Sequence, residues 1–204
     1  MPTHPLWRPY ELVDLEEVAK ARLAGPSRPV EVVPYDDGWP SDFARLSSIV
    51  RGALGDRVLA LEHVGSTAVP GLAAKPVIDA DLTVADSGDE STYVPDLEAV
   101  GFVLRFREPE WEEHRVFAAE DPKSNLHVWS PGSVEARRHA AFRGWLRSHD
   151  EDRDAYGALK TELAGQGFGD VMDYNNHKAA LVYDLYEKVF AADPAHEHDP
   201  QPRP

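Results

Sequence analysis

The first 130 residues of the chain alternate between two hydrophobic patterns, one typical of helices and one typical of strands. Apolar residues three and four positions apart predict helices at residues 10–23, 41–54 and about 92–100. Short apolar runs bounded by Gly, Pro, Asp or Asn predict strands at 30–33, 57–64, 76–84, 102–106, 114–119 and 124–130. Helices and strands mixed in this way are typical of an α/β (α+β) domain built on one sheet.

The hydrophobic period becomes helical from Val134 onwards, where it predicts three helices at 134–148, 150–164 and 173–190. The last residues are polar and rich in Pro, which predicts a disordered tail. The predicted boundaries are an N-terminal helix and linker at 1–29, a domain at 30–191 with its sheet core at 30–130 and its helical part at 133–191, and the tail at 192–204.

The charge and composition narrow the possible functions. The 204 residues include 21 Lys and Arg against 36 Asp and Glu, and the net charge of −15 argues against nonspecific binding to nucleic acids. The absence of cysteine excludes disulfides, thiolate zinc sites and thiol nucleophiles. The sequence shows no signal peptide and no apolar segment of roughly 18 residues, so we expect a cytoplasmic protein without a membrane segment.

Two carboxylates interrupt the apolar pattern of the predicted strand at 76–84. Because side chains alternate across a strand, Asp79 and Asp81 point to the same face. Two such carboxylates repel each other unless a cation or a shared proton relieves the repulsion, and oxygen ligands suit Mg²⁺ or Mn²⁺. The alternative is that both carboxylates face solvent on a half-exposed strand.

The turn before this strand is suited to phosphate. Gly65 allows a close approach of the backbone, and Ser66 offers a hydroxyl beside free backbone N–H groups. Together with the two carboxylates, this turn predicts a site for a metal ion and a triphosphate. The alternative is that Gly65 and Ser66 form an ordinary turn.

These motifs resemble those of a known superfamily and of one family within it. The Gly-Ser pair, 12 intervening residues and the Asp-Ala-Asp strand resemble the active-site pattern of DNA polymerase β-like nucleotidyltransferases. The segments VEVVPYDDGWP, LEHVGSTAVPGLAAKPVID, NLHVW, AFRGWLRSH and YGALKTELA resemble, in the same order and spacing, the GrpB family of bacterial nucleotidyltransferase-like proteins. This resemblance covers roughly residues 30–190 and is more specific than the short pattern alone.

The resemblance implies a nucleotidyltransferase-like mixed β-sheet flanked by helices, with further helices at the C-terminus. It also implies metal-dependent transfer of a nucleotidyl group from an NTP to an unidentified hydroxyl acceptor, on a small molecule or a protein. In this interpretation Asp79 and Asp81 are catalytic and hold Mg²⁺ or Mn²⁺, while Gly65 and Ser66 bind the β- and γ-phosphates. The alternative is a catalytically degenerate module that binds a nucleotide or regulates a protein partner.

The superfamily usually completes its metal site with a third carboxylate on a neighbouring strand, and this chain departs from that pattern. The strand at 124–130 offers Asn125 and His127 instead. His127 is therefore a third catalytic candidate, either as a metal ligand or as a general base.

Four further residues are candidates for binding the nucleotide, each with a plainer alternative. His63, just before the Gly-Ser turn, either contacts a phosphate or the nucleotide base or bonds to backbone. Lys75, in the next loop, either neutralises phosphate or is solvated. An arginine on a predicted strand needs an anionic partner, which bound phosphate or the two aspartates would provide. Lys178, beside the apolar stripe of the last helix, either borders the site or is exposed. These residues are His63, Lys75, Arg115 and Lys178.

Overall fold

The computed structural model describes residues 2–23, 30–169 and 171–203, so the predicted linker at 24–29 lies outside the described residues. Its strands are β1 (Ala60–Val64), β2 (Ile78–Thr83), β3 (Val103–Glu108), β4 (His114–Glu120) and β5 (Lys123–Trp129). They form one sheet in the order β1-β2-β5-β4-β3, in which β2 and β5 are parallel and the other neighbours are antiparallel. The helices are α1 (Leu15–Ala21), α2 (Trp39–Leu54), α3 (Val94–Ala99), α4 (Val134–Ser148), α5 (Asp150–Ala164) and α6 (Val171–Ala191).

One face of the sheet carries the main hydrophobic core. Alternation along β2 turns Ile78, Ala80 and Leu82 to this face, where residues of α2 and α3 pack against them. Phe117 of β4 and Leu126 of β5 join the same core, and all five residues are at most 2% exposed. The same alternation turns Asp79 and Asp81 of β2, and Asn125 and His127 of β5, to the opposite face.

Replacing Leu82 with alanine is expected to lower the free energy of unfolding by about 2–5 kcal/mol, because truncation leaves a cavity in a packed core. The matched control is Leu59→Ala, since Leu59 is 57% exposed whereas Leu82 is fully buried. Truncation at Leu59 is expected to change stability by less than about 0.5 kcal/mol. Urea denaturation measures both values, and equal effects would show that this face is not the core.

Helices α4, α5 and α6 pack against one another at the end of the chain. Leu146, Tyr156 and Leu185, one from each helix, form a buried cluster with Val69 and Leu72. Val69 and Leu72 belong to the segment between β1 and β2, so this cluster fixes the three helices against the loop that carries the Gly-Ser turn. In the described ranges, no helix has the length and apolar character that crossing a bilayer requires.

The predicted fold class is confirmed: a mixed sheet is flanked by helices and followed by three C-terminal helices. One predicted strand differs. Residues 30–33 do not form a strand, and Val33 makes a single isolated bridge to Ala74. Pro34 follows directly and has no N–H to continue the pairing, which explains why the apolar run does not extend into a strand.

The first helix is shorter than the predicted range of 10–23. It begins after Asp14, whose side chain accepts hydrogen bonds from the N–H groups of Glu16 and Glu17. An aspartate in this position satisfies N–H groups that the first turn of a helix leaves free. The capping aspartate therefore sets the start of α1 at Leu15, five residues later than the predicted range.

The C-terminal residues up to 203 contact the N-terminal segment and α6. The N–H of Asp199 donates to the carbonyl of Pro2 at 3.0 Å, and the N–H of Gln201 donates to Glu187 at 2.7 Å. Arg203 pairs with Asp184 at 2.8 Å. Composition predicts disorder here because it does not reveal these partners, one of which lies at the other end of the chain.

Candidate functional site

Asp79 and Asp81 lie on the same face of the sheet, opposite the main core. In the strand register Asp79 pairs with Val64 of β1 and Asn125 of β5, and Asp81 pairs with Glu62 and His127. Asn125 donates its side-chain N–H to Oδ1 of Asp79 at 2.8 Å. This bond orients the half-buried carboxylate of Asp79 and leaves it as the more accessible of the two.

The Gly-Ser turn lies directly beside Asp79. Gly65 has a φ of +65°, and a Cβ atom added to it would stand 2.6 Å from Oδ2 of Asp79, so only glycine fits. Two arginines of α4 hold this turn from outside: Arg143 donates to the carbonyl of His63, and Arg147 donates twice to the carbonyl of Ala68, at 2.8 and 2.6 Å. The turn is therefore fixed against both the aspartate strand and the C-terminal helices.

Replacing Gly65 with alanine is expected to lower the free energy of unfolding by about 1–3 kcal/mol and to displace the Asp79 carboxylate, because the backbone is strained and the new Cβ collides with Oδ2. Gly52 in α2 provides the control, since a Cβ there meets nothing within 4 Å. Gly52→Ala is expected to stabilise the protein by about 0.5–1 kcal/mol. Thermal denaturation compares the two, and a harmless Gly65→Ala change would contradict the close approach.

Three lysines, which we call the lysine cluster, surround the Gly-Ser turn: Lys75 before β2, Lys160 on α5 and Lys178 on α6. Nζ of Lys160 donates to Oγ of Ser66 at 2.9 Å, and Lys160 is only 2% exposed. Nζ of Lys178 lies 5.1 Å from the ring centre of Tyr174, and Nζ of Lys75 lies 5.9 Å from the same ring. The two predicted lysines, Lys75 and Lys178, therefore lie near a third, Lys160, that was not predicted from the sequence.

The environment of the cluster destabilises positive charge. Burial, together with the ammonium groups of Lys178 and Lys75, lowers the pKa of Lys160 to about 6, and Asp79 opposes the shift. Burial also lowers the pKa of Lys75 and of Lys178 to about 8, and Asp79 opposes both shifts. A group of cations with depressed pKa values favours an anionic ligand that would restore their charge.

Within the described ranges, the cluster has no acidic partner of its own. In the part of the chain that the structure describes, no carboxylate lies within 4.0 Å of Nζ of any of its three members. The hydroxyl of Tyr174 is also buried without a hydrogen-bond partner among the described residues. Buried hydroxyls without a partner are rare in folded proteins, and this one is free to bond to a polar group that enters the site.

Asp81 is occupied by neighbouring side chains. It is 4% exposed, its Oδ1 accepts from Nε1 of Trp129 at 3.0 Å, and its Oδ2 pairs with Nδ1 of His139 at 2.9 Å. Burial alone would raise the pKa of Asp81, but the bonds from His139 and Trp129 outweigh burial and hold it below its usual value. Burial likewise opposes the charge on His139, but its bond to Asp81 keeps its pKa raised.

These contacts restrict the metal that the site would hold. Both oxygens of Asp81 take part in hydrogen bonds, and the neighbouring strand offers Asn125 and His127 in place of a third carboxylate. Among the described residues, Asp79, Asp81 and His127 do not bring three ligand atoms within 4.8 Å of one another. The carboxylate of Asp79, which is the more accessible of the two, is therefore the better placed to hold a divalent ion together with substrate oxygens.

The described residues that do meet this distance are His4, Asp193 and His196, at the joined chain ends. Nε2 of His4 and Nδ1 of His196 both lie 2.9 Å from Oδ2 of Asp193. Nδ1 of His4 accepts the N–H of Leu6, so the ring carries its proton on Nε2, toward Asp193. The three side chains therefore link the two ends of the chain through hydrogen bonds.

Two predicted nucleotide-binding residues are not brought to the cluster. The ring of His63 stacks on Phe43 at 4.7 Å, and its Nε2 bonds to Oγ1 of Thr67 at 3.0 Å, on the core side of β1. Arg115 is paired with Glu90 at 2.6 Å and with Glu113 at 3.1 Å. Glutamates of this chain therefore supply the anionic partners that Arg115 needs.

Lys160 is the main residue that sequence reasoning missed, although the sequence contains a signal for it. Tyr156, Lys160 and Leu163 have the spacing of one helical face, and all three are buried. A lysine within the apolar stripe of a helix needs an explanation, because an isolated buried ammonium group is costly.

A family model described as GrpB protein matches residues 29–188. The chain is 46% identical over 178 residues to a UPF0157 protein of Halalkalibacterium halodurans, covering 87% of this chain and 91% of the relative. The crystal structure of GrpB from Enterococcus faecalis aligns with a TM-score of 0.70 and 27% identity over 79% of this chain and 98% of that chain. A mutant of Cid1 poly(U) polymerase bound to MgATP aligns with a TM-score of 0.44 and 13% identity over 65% and 42% of the two chains. The family match and the close relative show that this chain belongs to the GrpB protein family.

Proposed function

We propose that this protein binds the triphosphate of an NTP between Ser66 and the lysine cluster and transfers the nucleotidyl group to a hydroxyl acceptor. The observation that supports the proposal most is the convergence of three lysines that, among the described residues, have no acidic partner, beside the hydroxyl of Tyr174, which has no hydrogen-bond partner there either. Phosphate oxygens would accept hydrogen bonds from all of these donors. Lysine binds phosphate as a point charge, and such charged hydrogen bonds are among the strongest in proteins.

The residues then have separate roles in the reaction. The lysine cluster and Ser66 hold the β- and γ-phosphates and stabilise the charge that develops on pyrophosphate as it leaves. Asn125 orients Asp79, which would hold Mg²⁺ or Mn²⁺. When bound, this ion would supply Lewis-acid stabilisation of the phosphoryl oxygens. The acceptor is a small molecule or a protein, and the proposal includes a cytoplasmic location, which rests on the sequence alone.

A second candidate function is a nucleotide-binding module that regulates a partner and transfers nothing. Two observations favour it: the carboxylate of Asp81 is already hydrogen-bonded to Trp129 and His139, and His127 lies on the strand where the superfamily usually has a third carboxylate. Both candidates require the lysine cluster to bind a triphosphate. They differ in whether pyrophosphate is released.

Titration calorimetry with ATP, GTP, CTP and UTP, each with and without Mg²⁺, tests nucleotide binding, and a pyrophosphate assay over a panel of alcohols, sugars and protein substrates tests transfer. Binding with pyrophosphate release supports the first candidate, and binding without release supports the second. If no NTP binds under either condition, both candidates are rejected.

Asp79→Asn is expected to separate binding from transfer. Because Asp79 repels phosphate, its replacement by neutral asparagine is expected to leave triphosphate affinity without metal unchanged or higher. Pyrophosphate release is expected to fall by roughly 100-fold or more, the usual loss when a preorganised charge is removed from an active site. Asp56→Asn, at an exposed position on another part of the surface, is the control. A full transfer rate in Asp79→Asn would remove Asp79 from the mechanism.

A further inference from the structure

Three side chains form a hydrogen-bonded chain across the strands β3, β4 and β5 and end beside the aspartates. Oε2 of Glu108 lies 2.8 Å from Nδ1 of His114, and Nε2 of His114 lies 3.0 Å from Nδ1 of His127. His127 is the neighbour of Asp81 in the register between β5 and β2. We call Glu108, His114 and His127 the relay.

The partners of the relay determine where its protons are. A carboxylate only accepts hydrogen bonds, so Glu108 requires the proton of His114 to be on Nδ1. A neutral His114 then has a lone pair on Nε2, which accepts the proton on Nδ1 of His127. Nε2 of His127 is consequently the nitrogen that carries a lone pair, on the face of the sheet shared with Asp79 and Asp81.

The middle of the relay is held rigidly. His114 is 2% exposed, and its ring stacks on Trp129 with centres 4.0 Å apart and planes within 9°. The rings of His114 and His127 lie within 5° of parallel. Fixed ring planes keep the two short hydrogen bonds aligned, which is what a group that orients a catalytic base requires.

We propose that Glu108 and His114 are positioning residues that hold His127 as the general base for the acceptor hydroxyl. The reaction rests on the proposed function, whereas the arrangement of protons in the relay does not. The hydroxyl gives its proton to Nε2 of His127 while its oxygen bonds to the α-phosphorus. The bond from that phosphorus to the β-phosphate oxygen breaks, and pyrophosphate leaves with the electron pair. The imidazolium formed at His127 donates through Nδ1 to His114, and Glu108 stabilises the charge.

The buried environment of the relay favours neutral histidine rings. Burial and the neighbouring His114 lower the pKa of His127 to about 4, against the opposing effect of Asp81 and Asp79, so His127 is neutral at pH 7. Burial also lowers the pKa of His114, and Glu108 opposes that shift. Both rings are therefore available as neutral tautomers. In this role His127 would act on β5, the strand that offers no third carboxylate.

Nitrogen-15 NMR of the histidine rings in the protein without nucleotide tests the relay directly. In the wild type, His114 and His127 are expected to carry their protons on Nδ1. Glu108→Leu removes the acceptor and is expected to shift both rings toward the Nε2–H tautomer, whereas Glu108→Gln keeps an accepting oxygen and is expected to preserve the wild-type tautomers. Glu110→Leu, at an exposed position in the same hairpin turn, is the control. A wild-type His127 protonated on Nε2, or tautomers unchanged in Glu108→Leu, would overturn the proposal.

A kinetic measurement then distinguishes positioning from a purely structural role. Where pyrophosphate release is measurable, Glu108→Leu is expected to lower kcat by roughly 100-fold or more with KM for NTP little changed, the usual loss of general-base catalysis. Glu108→Gln is expected to recover part of kcat. An unchanged kcat in Glu108→Leu would reject the role in catalysis, while failure of NTP to bind the wild type would reject the proposed function and leave the tautomer result standing.

Discussion

Replacing Lys160 with methionine is expected to stabilise the protein without nucleotide and, at the same time, to remove most of its affinity for triphosphates. Methionine has a similar length and fills the same buried space without the cost of burying a cation or keeping an amine neutral. A gain of about 1–3 kcal/mol in the free energy of unfolding is expected, since buried charges replaced by apolar groups often give increases of this size.

The same substitution removes a charged hydrogen bond to phosphate. Bonds of this kind contribute about 1.5–3 kcal/mol each, so the dissociation constant for ATP is expected to rise by roughly 10- to 100-fold. Opposite changes in stability and affinity are typical of a residue kept for binding at the expense of the fold.

Thermal denaturation and titration calorimetry on one preparation measure both effects. Lys188→Met is the matched control, because Lys188 lies on α6 with a side chain 55% exposed and an ion pair to Asp152. It is expected to change neither quantity by much. A Lys160→Met protein that is strongly destabilised, or that binds ATP as tightly as the wild type, would show that Lys160 has a structural role and no part in nucleotide binding.

The sequence reveals the sheet half of the site well, because local rules control it. Strand alternation places Asp79 and Asp81 on one face, and the need for a positive φ next to a carboxylate explains Gly65. These features depend on residues a short distance apart in the chain. Lys75 was also predicted from its place in the loop between them.

The other half depends on contacts between distant segments, which local rules do not give. Lys160 reaches Ser66 across 94 positions of sequence, and only the packing of α5 against the Gly-Ser loop brings them together. The same cause explains the contacts that the sequence does not reveal. Arg115 requires an anion, as expected, and Glu90 supplies one from 25 positions away. His63 has two alternatives in the sequence, and the register of β1 turns it toward the core.

The face of the sheet therefore has two chemically different ends. Ser66 and the lysine cluster lie at the Asp79 end, where cations and N–H donors suit phosphates. His127 and His139 lie at the Asp81 end, where imidazole nitrogens suit the transfer of protons. A reaction in which a hydroxyl attacks phosphorus needs both environments side by side, and this arrangement is the physical basis for favouring transfer over binding alone.

The lysine cluster also predicts that the stability of the protein depends on pH in a defined direction. The pKa of Lys160 is lower in the folded protein, about 6, than in the unfolded chain, so above pH 6 the unfolded chain binds more protons. Stability from this residue is therefore lowest below pH 6 and rises with pH, by about 1.4 kcal/mol per unit at most. The advantage of Lys160→Met over the wild type is accordingly expected to shrink between pH 6 and pH 8. Denaturant titrations at both values measure it, and a constant difference would contradict the depressed pKa.

Nucleotide binding is expected to be coupled to the uptake of protons, so that affinity falls as pH rises whereas stability increases. At pH 8 Lys160 is neutral in the free protein, and a bound triphosphate favours its charged form, so binding takes up about one proton. Affinity is then expected to fall by up to about 10-fold per unit between pH 7 and pH 9, a range in which the phosphates stay fully ionised. Calorimetry at pH 8 in two buffers of different ionisation enthalpy counts the protons. Lys160→Met is expected to lose most of this uptake and Lys188→Met none of it. Triphosphate binding without proton uptake in the wild type would mean that Lys160 is already charged before the ligand arrives, and the cluster would then need an anionic partner within the protein.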